Sequence, residues 1–87
     1  MSSENLEILR KKLLYRSIHR GCKETDFLIG EFAKMTVSSM DSIQIHLYQD
    51  FMAEDDLEIY DWILGKNSFP KKFSDLINQI KEFHRLS

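Results

Sequence analysis

Apolar side chains recur every three or four residues along most of the chain, the spacing that lines one face of an α-helix. From Ser3 to His19 the stripe is Leu6, Leu9 and Leu13, widened by Ile8, Leu14 and Ile18. Ser3 is placed to cap this helix, and Glu4 and Glu7 lie in its first turn, where the helix dipole favours anions. Arg16, His19 and Arg20 crowd the far end and oppose the dipole's negative pole. Gly21 then falls where a helix commonly stops in a left-handed residue. A second helix is predicted from about Lys23 to Met35, with Phe27, Leu28, Phe32 and Met35 inward. Gly30 costs that helix about 1 kcal/mol of propensity, which implies close packing against a neighbour.

Thr36-Val37-Ser38-Ser39 breaks the pattern, and Asp41 with Gln44 three residues on makes a capping-box start for a third helix. Ile43, Leu47, Tyr48, Phe51 and Met52 fall on one side of it, and it ends before Glu54-Asp55-Asp56. Those acids open a fourth, short helix carrying Leu57, Tyr60, Ile63 and Leu64, which Gly65 stops. Asn67-Ser68-Phe69-Pro70 reads as a connection, because the residue before proline resists the helical region. The last helix turns Phe73, Leu76, Ile77, Ile80 and Phe83 inward and ends near His84. No segment alternates with period two and no internal repeat is evident. The expectation is an all-α fold, a single small five-helix bundle over residues 1–87.

Composition agrees. The chain has 87 residues, 43% of them hydrophobic and 30% charged, with three glycines and one proline, a balance that suits a compact helical domain rather than a disordered one. No apolar run approaches the roughly 20 residues that span a bilayer. The first residues carry no basic apolar leader and no Arg-rich transit pattern, so no export or organelle signal is expected. A single cysteine rules out an intrachain disulfide and fits a reducing compartment.

Charge is laid out in blocks. Residues 1–23 carry six basic and two acidic side chains, residues 24–62 one and ten, and residues 63–87 five and two. Such blocks are either solvated helix faces or opposed patches that steer a protein partner. A duplex-binding domain would more often be basic overall, and Glu24, Asp26 and Glu31 on the second helix would repel phosphates.

Little in the chain resembles catalytic or metal-binding equipment. His19, His46 and His84 fall on three different predicted helices, and neither they nor Cys22 show a zinc or haem spacing. Cys22 has Lys23, Arg20 and His19 close by in sequence, which leaves a nucleophile as one reading, but a small residue at a helix start is the plainer one. No glycine-rich phosphate loop is present. Glu54 to Asp56 read as helix-start anions, and Trp62 and Tyr60 as core or rim aromatics.

One stretch stands apart. At Arg20-Gly21-Cys22-Lys23-Glu24 the chain resembles the Arg-Gly-x-x-Glu signature of the succinate dehydrogenase assembly factor family, small helical proteins that promote covalent attachment of FAD to the dehydrogenase flavoprotein subunit. Leu14-Tyr15-Arg16-Ser17 precedes the motif at the family's distance and Thr25-Asp26-Phe27-Leu28-Ile29 follows it. Leu47-Tyr48-Gln49-Asp50-Phe51-Met52 and Asp56-Leu57-Glu58-Ile59-Tyr60-Asp61-Trp62 are similar to the family's later blocks. The likeness spans roughly residues 9 to 65. Gln44 stands where the family usually has glutamate, Glu58 where it has the second aspartate of Asp-x-Asp, and Cys22 where it often has a larger apolar residue.

The resemblance implies a maturation factor and not an enzyme. In the family a client histidine becomes bonded to the 8α carbon of the flavin in a self-catalysed step, and the small protein holds the client so that the step proceeds. The implied partner is the succinate dehydrogenase flavoprotein subunit, with fumarate reductase as a further candidate client. FAD belongs to the client, and no cofactor of the chain's own is expected. The implied setting is the bacterial cytoplasm, and the expected state a monomer. The partner-binding residues are Arg16, Arg20, Gly21, Glu24 and Asp26. Gly21 lets another backbone approach, Arg20 offers a fork of donors, and Glu24 accepts from a partner or orients Arg20. The structural alternative is a plain helix stop with a local Arg20–Glu24 ion pair. On the binding reading, Gly21→Ala should fold almost normally and lose the client. A helical protein-protein adaptor and, further off, a nucleic-acid-binding helical domain are the competing readings.

Overall fold

A computed structural model describes the backbone of residues 3–86 and the side chains of residues 6–86. The capping role expected of Ser3, and the place of Glu4, lie outside the described side chains. Five α-helices follow one another: α1 (Ser3–Ile18), α2 (Lys23–Thr36), α3 (Ser42–Met52), α4 (Asp56–Ile63) and α5 (Ser74–Phe83). Short 3-10 turns at Val37–Ser39 and Lys71–Phe73 lead into α3 and α5. No strand occurs among the described residues, so the all-α expectation holds.

The second helix is the hub. It packs on α1, α4 and α5, while α1 also covers α3 and α4 meets α5. Gly30 is a point of close approach: a Cβ there would lie 3.4 Å from the Ser17 carbonyl oxygen and 3.6 Å from the Ile18 Cα. The glycine expected to mark close packing does so, because the backbones of α1 and α2 touch at it. The start of α3 is also as the sequence implies. Asp41 Oδ1 accepts from the Gln44 N–H at 2.8 Å, and the Asp41 N–H donates to Gln44 Oε1 at 2.9 Å. Glutamine thus serves as well as glutamate in that reciprocal cap.

One core joins all five helices. Leu13, Ile29, Ile45, Tyr48, Phe51, Ile59, Phe73, Ile77 and Ile80 are fully sealed from water. Trp62 is a core aromatic, 5.9 Å from Phe73 and 6.2 Å from Phe51 between ring centres, and Phe51 and Phe73 meet edge to face. Tyr48 keeps its hydroxyl satisfied at the centre of this core, 2.5 Å from Ser17 Oγ. Ser17 spends its only hydroxyl proton on the Leu13 carbonyl at 2.6 Å, so Tyr48 is the donor between them. Burial pushes the Tyr48 phenol well above its ordinary value, against smaller opposing effects of Ser17 and the Arg20 charge.

Several residues expected inward face outward instead. Phe27, Met35, Ile43 and Leu57 are exposed, as is Ile8, while Leu64 and Phe83 are open over about 40% of their surface. The buried stripe of α2 is Thr25, Leu28, Ile29, Phe32 and Ala33, and Ile45 and Ile59 take inward places in α3 and α4. Each of these helices has apolar residues round more than half its circumference. Which stripe is covered depends on where the neighbouring helix docks, and periodicity does not contain that.

Candidate functional site

The first helix ends in ordinary fashion, and the chain then reverses through one residue. Gly21 sits at φ +94°, a left-handed conformation that side chains resist. Cys22 follows in an extended conformation and precedes α2 without capping it through its side chain. The turn is closed from the far side: Asp26 Oδ1 accepts the backbone N–H of Arg20 at 2.8 Å. Asp26, expected to extend a binding surface, is therefore a clamp across the glycine.

Arg20 is turned inward. Its side chain is only 11% exposed, and its Nε is bound to Asp56 Oδ1. The two terminal nitrogens donate to the carbonyl oxygens of Met52 and Glu54, each at 2.8 Å, and the first also lies 3.5 Å from Met52 Sδ. Thr25 Oγ1 reaches the Asp56 carbonyl at 3.4 Å beside them. The guanidinium thus fastens the α3–α4 connection to the α1–α2 turn. Neither the local Arg20–Glu24 pair nor a freely offered fork is what forms: the acceptors that satisfy Arg20 lie more than thirty residues away.

Gly21, Glu24 and Arg16 remain at the surface. A Cβ on Gly21 would meet nothing within 4 Å, so the notch is open. Glu24 accepts from Cys22 Sγ at 3.4 Å. Its own backbone N–H holds its carboxyl below the ordinary glutamate value of 4.5, with help from the Cys22 thiol and the Lys23 charge. Arg16 is in no ion pair among the described residues. It lines a shallow groove of about 320 Å³ with His19, Arg20, Glu54, Asp55 and Asp56. Tyr15 stacks on His19 along the same edge, ring centres 4.4 Å apart.

Asp56 is the residue that the helical pattern misread. It belongs to an acidic run that suits a helix start, and Asp55 does cap α4, accepting the Leu57 N–H at 3.1 Å. Asp56, one residue on, answers Arg20 instead. The only pointer to it was its place at the head of the block Asp56-Leu57-Glu58 in the family resemblance. No cluster of metal-ligating side chains occurs among the described residues.

Gly21 is thus an open backbone notch in a turn closed by Asp26, with the Glu24 carboxylate and the Arg16 guanidinium exposed nearby and in no ion pair among the described residues. The chain belongs to the family described as flavinator of succinate dehydrogenase, whose sequence profile matches residues 11–84. That span carries the resemblance through the last helix, beyond residue 65. The chain is 35% identical over 79 residues to "Succinate dehydrogenase assembly factor 2, mitochondrial" of Dictyostelium discoideum, covering 91% of this chain and 56% of that protein. It is 29% identical over 87 residues to "FAD assembly factor SdhE" of Acetobacter pasteurianus, covering 99% of this chain and 80% of that protein. A mitochondrial assembly factor 2-B of Drosophila mojavensis is 31% identical over 83 residues, 93% of this chain and 53% of its own length. The chain thus spans little more than half of the first of these relatives. No solved structure matches it significantly.

Proposed function

We propose that this protein is an assembly factor that binds the flavoprotein subunit of succinate dehydrogenase and promotes covalent attachment of FAD to it. Family membership supports the reading, and one structural observation carries it: Gly21 is open to solvent in a turn made rigid by Asp26 and by the Arg20–Asp56 link. A bare backbone segment that cannot collapse is suited to a second backbone pressing on it. Glu24 and Arg16, neither in an ion pair among the described residues, supply one acceptor and one set of donors at its edges.

Nothing in this arrangement requires the chain to act as catalyst. On this reading the client would supply the histidine and bind the flavin, an 8α C–H bond giving way to the bond to histidine nitrogen while the flavin ring itself takes up the electron pair and the protons. The assembly factor contributes a bound conformation in which those groups are aligned, and alignment alone can supply several kcal/mol of a barrier. FAD on this reading belongs to the client. The setting is the bacterial cytoplasm, the working unit is a monomer, and fumarate reductase is a second client.

The test removes the gene from its host and asks whether the denatured flavoprotein subunit still fluoresces as a covalent flavin adduct. Loss of the adduct, restored by the wild-type chain and not by Glu24→Ala, supports the proposal. An undiminished adduct in the deleted strain overturns it.

A further inference from the structure

The first helix is covered on one side only. Leu13 and Ser17 are fully buried and Leu6 and Leu9 pack against the core, which fixes the rotation of α1. The opposite stripe, made of Ile8, Lys11, Lys12, Tyr15, Arg16 and His19, recurs every three or four residues and is exposed throughout. Two of its members are large and apolar, with Ile8 53% and Tyr15 65% exposed. Three more are cations, and Lys11, Lys12 and Arg16 are in no ion pair among the described residues. Lysines alone describe a solvated helix face. An aromatic, an aliphatic and an arginine set among them at the same spacing describe one that a partner covers.

The ends of the stripe narrow the kind of partner. Glu7 borders it at one end, and Glu54 and Asp55 share the shallow groove with Arg16 at the other. Between these acids the stretch from Ile8 to Arg16 runs about 12 Å along the helix, at about 1.5 Å per residue. An anionic bilayer or a nucleic-acid backbone carries its charge well beyond that length and would be set against the acids at both ends. A short acidic segment of a protein, about two helical turns with an apolar residue among its carboxylates, meets the cations and stops before the acids. The chain's own acidic run is a poor fit as that segment, because Asp56 holds Arg20 and Asp55 caps α4. The stripe also leads to the turn, since His19 lies two residues before Gly21. A client seated on the notch therefore already lies over its end.

We infer that the exposed face of α1 docks a short acidic segment of the flavoprotein client, with Lys11 and Lys12 drawing in its carboxylates and Ile8 and Tyr15 covering its apolar side chain. The inference rests on the assembly-factor reading and adds to it a second contact, of stated charge, on a different helix from Glu24. Cations on such a face act chiefly on the rate of encounter, and the apolar pair on how long the complex lasts.

The experiment measures association and dissociation rates of the purified apo flavoprotein subunit with the full chain at several salt concentrations, with circular dichroism melting of every variant. Lys11→Glu combined with Lys12→Glu should slow association at least tenfold and flatten its salt dependence. Lys11→Gln with Lys12→Gln, which keeps helix-forming residues in place, should give a smaller loss in the same direction. Lys71→Glu with Lys72→Glu makes the same change of net charge in the turn before α5 and should leave the rate within about twofold. An equal loss there would reduce the effect to net charge and overturn the proposal. Tyr15→Ser should speed dissociation several-fold while the melting temperature holds, since the ring is exposed. Glu24→Ala reports on the notch alone. If the wild-type chain does not bind the subunit, the assembly-factor reading fails and this inference with it. If Glu24→Ala weakens binding and the lysine reversal does not, the α1 proposal alone is overturned. A lysine reversal that releases the chain from anionic phospholipid vesicles, or splits a dimer, with client association unchanged, assigns the face to lipid or to self-association and equally overturns it.

Discussion

Arg20 and Asp56, 36 residues apart in sequence, are bound to each other beneath the turn that presents Gly21. The arginine of the Arg-Gly-x-x-Glu stretch is thus part of the frame, and its other nitrogens hold the carbonyls of Met52 and Glu54. Removing it leaves those acceptors and a partly buried carboxylate without their donor. Arg20→Ala is expected to lower stability by about 2–4 kcal/mol in urea unfolding, a large share of what a domain of this size possesses. Arg20→Lys should recover little, since an ammonium does not reproduce the planar fork. Asp56→Ala should cost less, about 1–2 kcal/mol, because two carbonyl contacts survive. An Arg20→Ala chain as stable as wild type would show the link to be idle.

Gly21→Ala no longer separates folding from binding in the way the sequence suggests. At φ +94° an alanine is strained by about 1–2 kcal/mol even though its methyl meets no atom. The expectation that this variant folds almost normally gives way to a modest loss of melting temperature. Gly65, at φ +76°, ends α4 under the same constraint and serves as the control. Gly21→Ala and Gly65→Ala should lose similar stability. Only the first should lower client affinity per folded molecule, measured well below both melting temperatures.

The Glu24 carboxyl should titrate below the ordinary glutamate value in a carbon-detected NMR titration. Cys22→Ala, which removes the thiol donor, should move it upward. A depressed folded-state pKa favours the native chain only above the unfolded value and loses that benefit as pH falls through the folded one. Client binding through Glu24 should therefore be level near neutrality and decline only in acid, below about pH 4.5.

Ser17 and Tyr48 make an asymmetric pair. Tyr48→Phe removes the donor but leaves Ser17 bonded to the Leu13 carbonyl, so the loss should be about 1 kcal/mol. Ser17→Ala strands the Tyr48 hydroxyl in a fully buried site and should cost more, about 1–3 kcal/mol. Chemical denaturation of the two single variants and the double variant measures the coupling. Equal losses would contradict the assigned direction of the hydrogen bond.

Gly30 offers the matching test of packing. Gly30→Val should destabilise by about 1–3 kcal/mol by forcing α1 off α2 at Ser17 and Ile18, with the loss read from urea unfolding.

Local rules were enough for much of this protein. Five helices, their order, the reciprocal cap of Asp41 and Gln44, and the stops at Gly21 and Gly65 all depend on residues within a few positions of one another. Backbone geometry and short-range hydrogen bonding act at that range, so the chain itself decided them. The open notch at Gly21 was legible for the same reason. Gly30 signalled a close contact, and only the fold supplied its partners, Ser17 and Ile18 of α1. What the linear order could not hold was the partner of each group across the fold. Arg20 had a candidate in Glu24, four residues away, and took Asp56 instead. Asp26 turned back to a backbone amide, and Phe27 and Leu57 were left outside while Ile45 and Ile59 went in. Those outcomes turn on how helices with broad apolar faces are rotated against each other, and only the assembled core, where close packing admits one arrangement, selects that rotation.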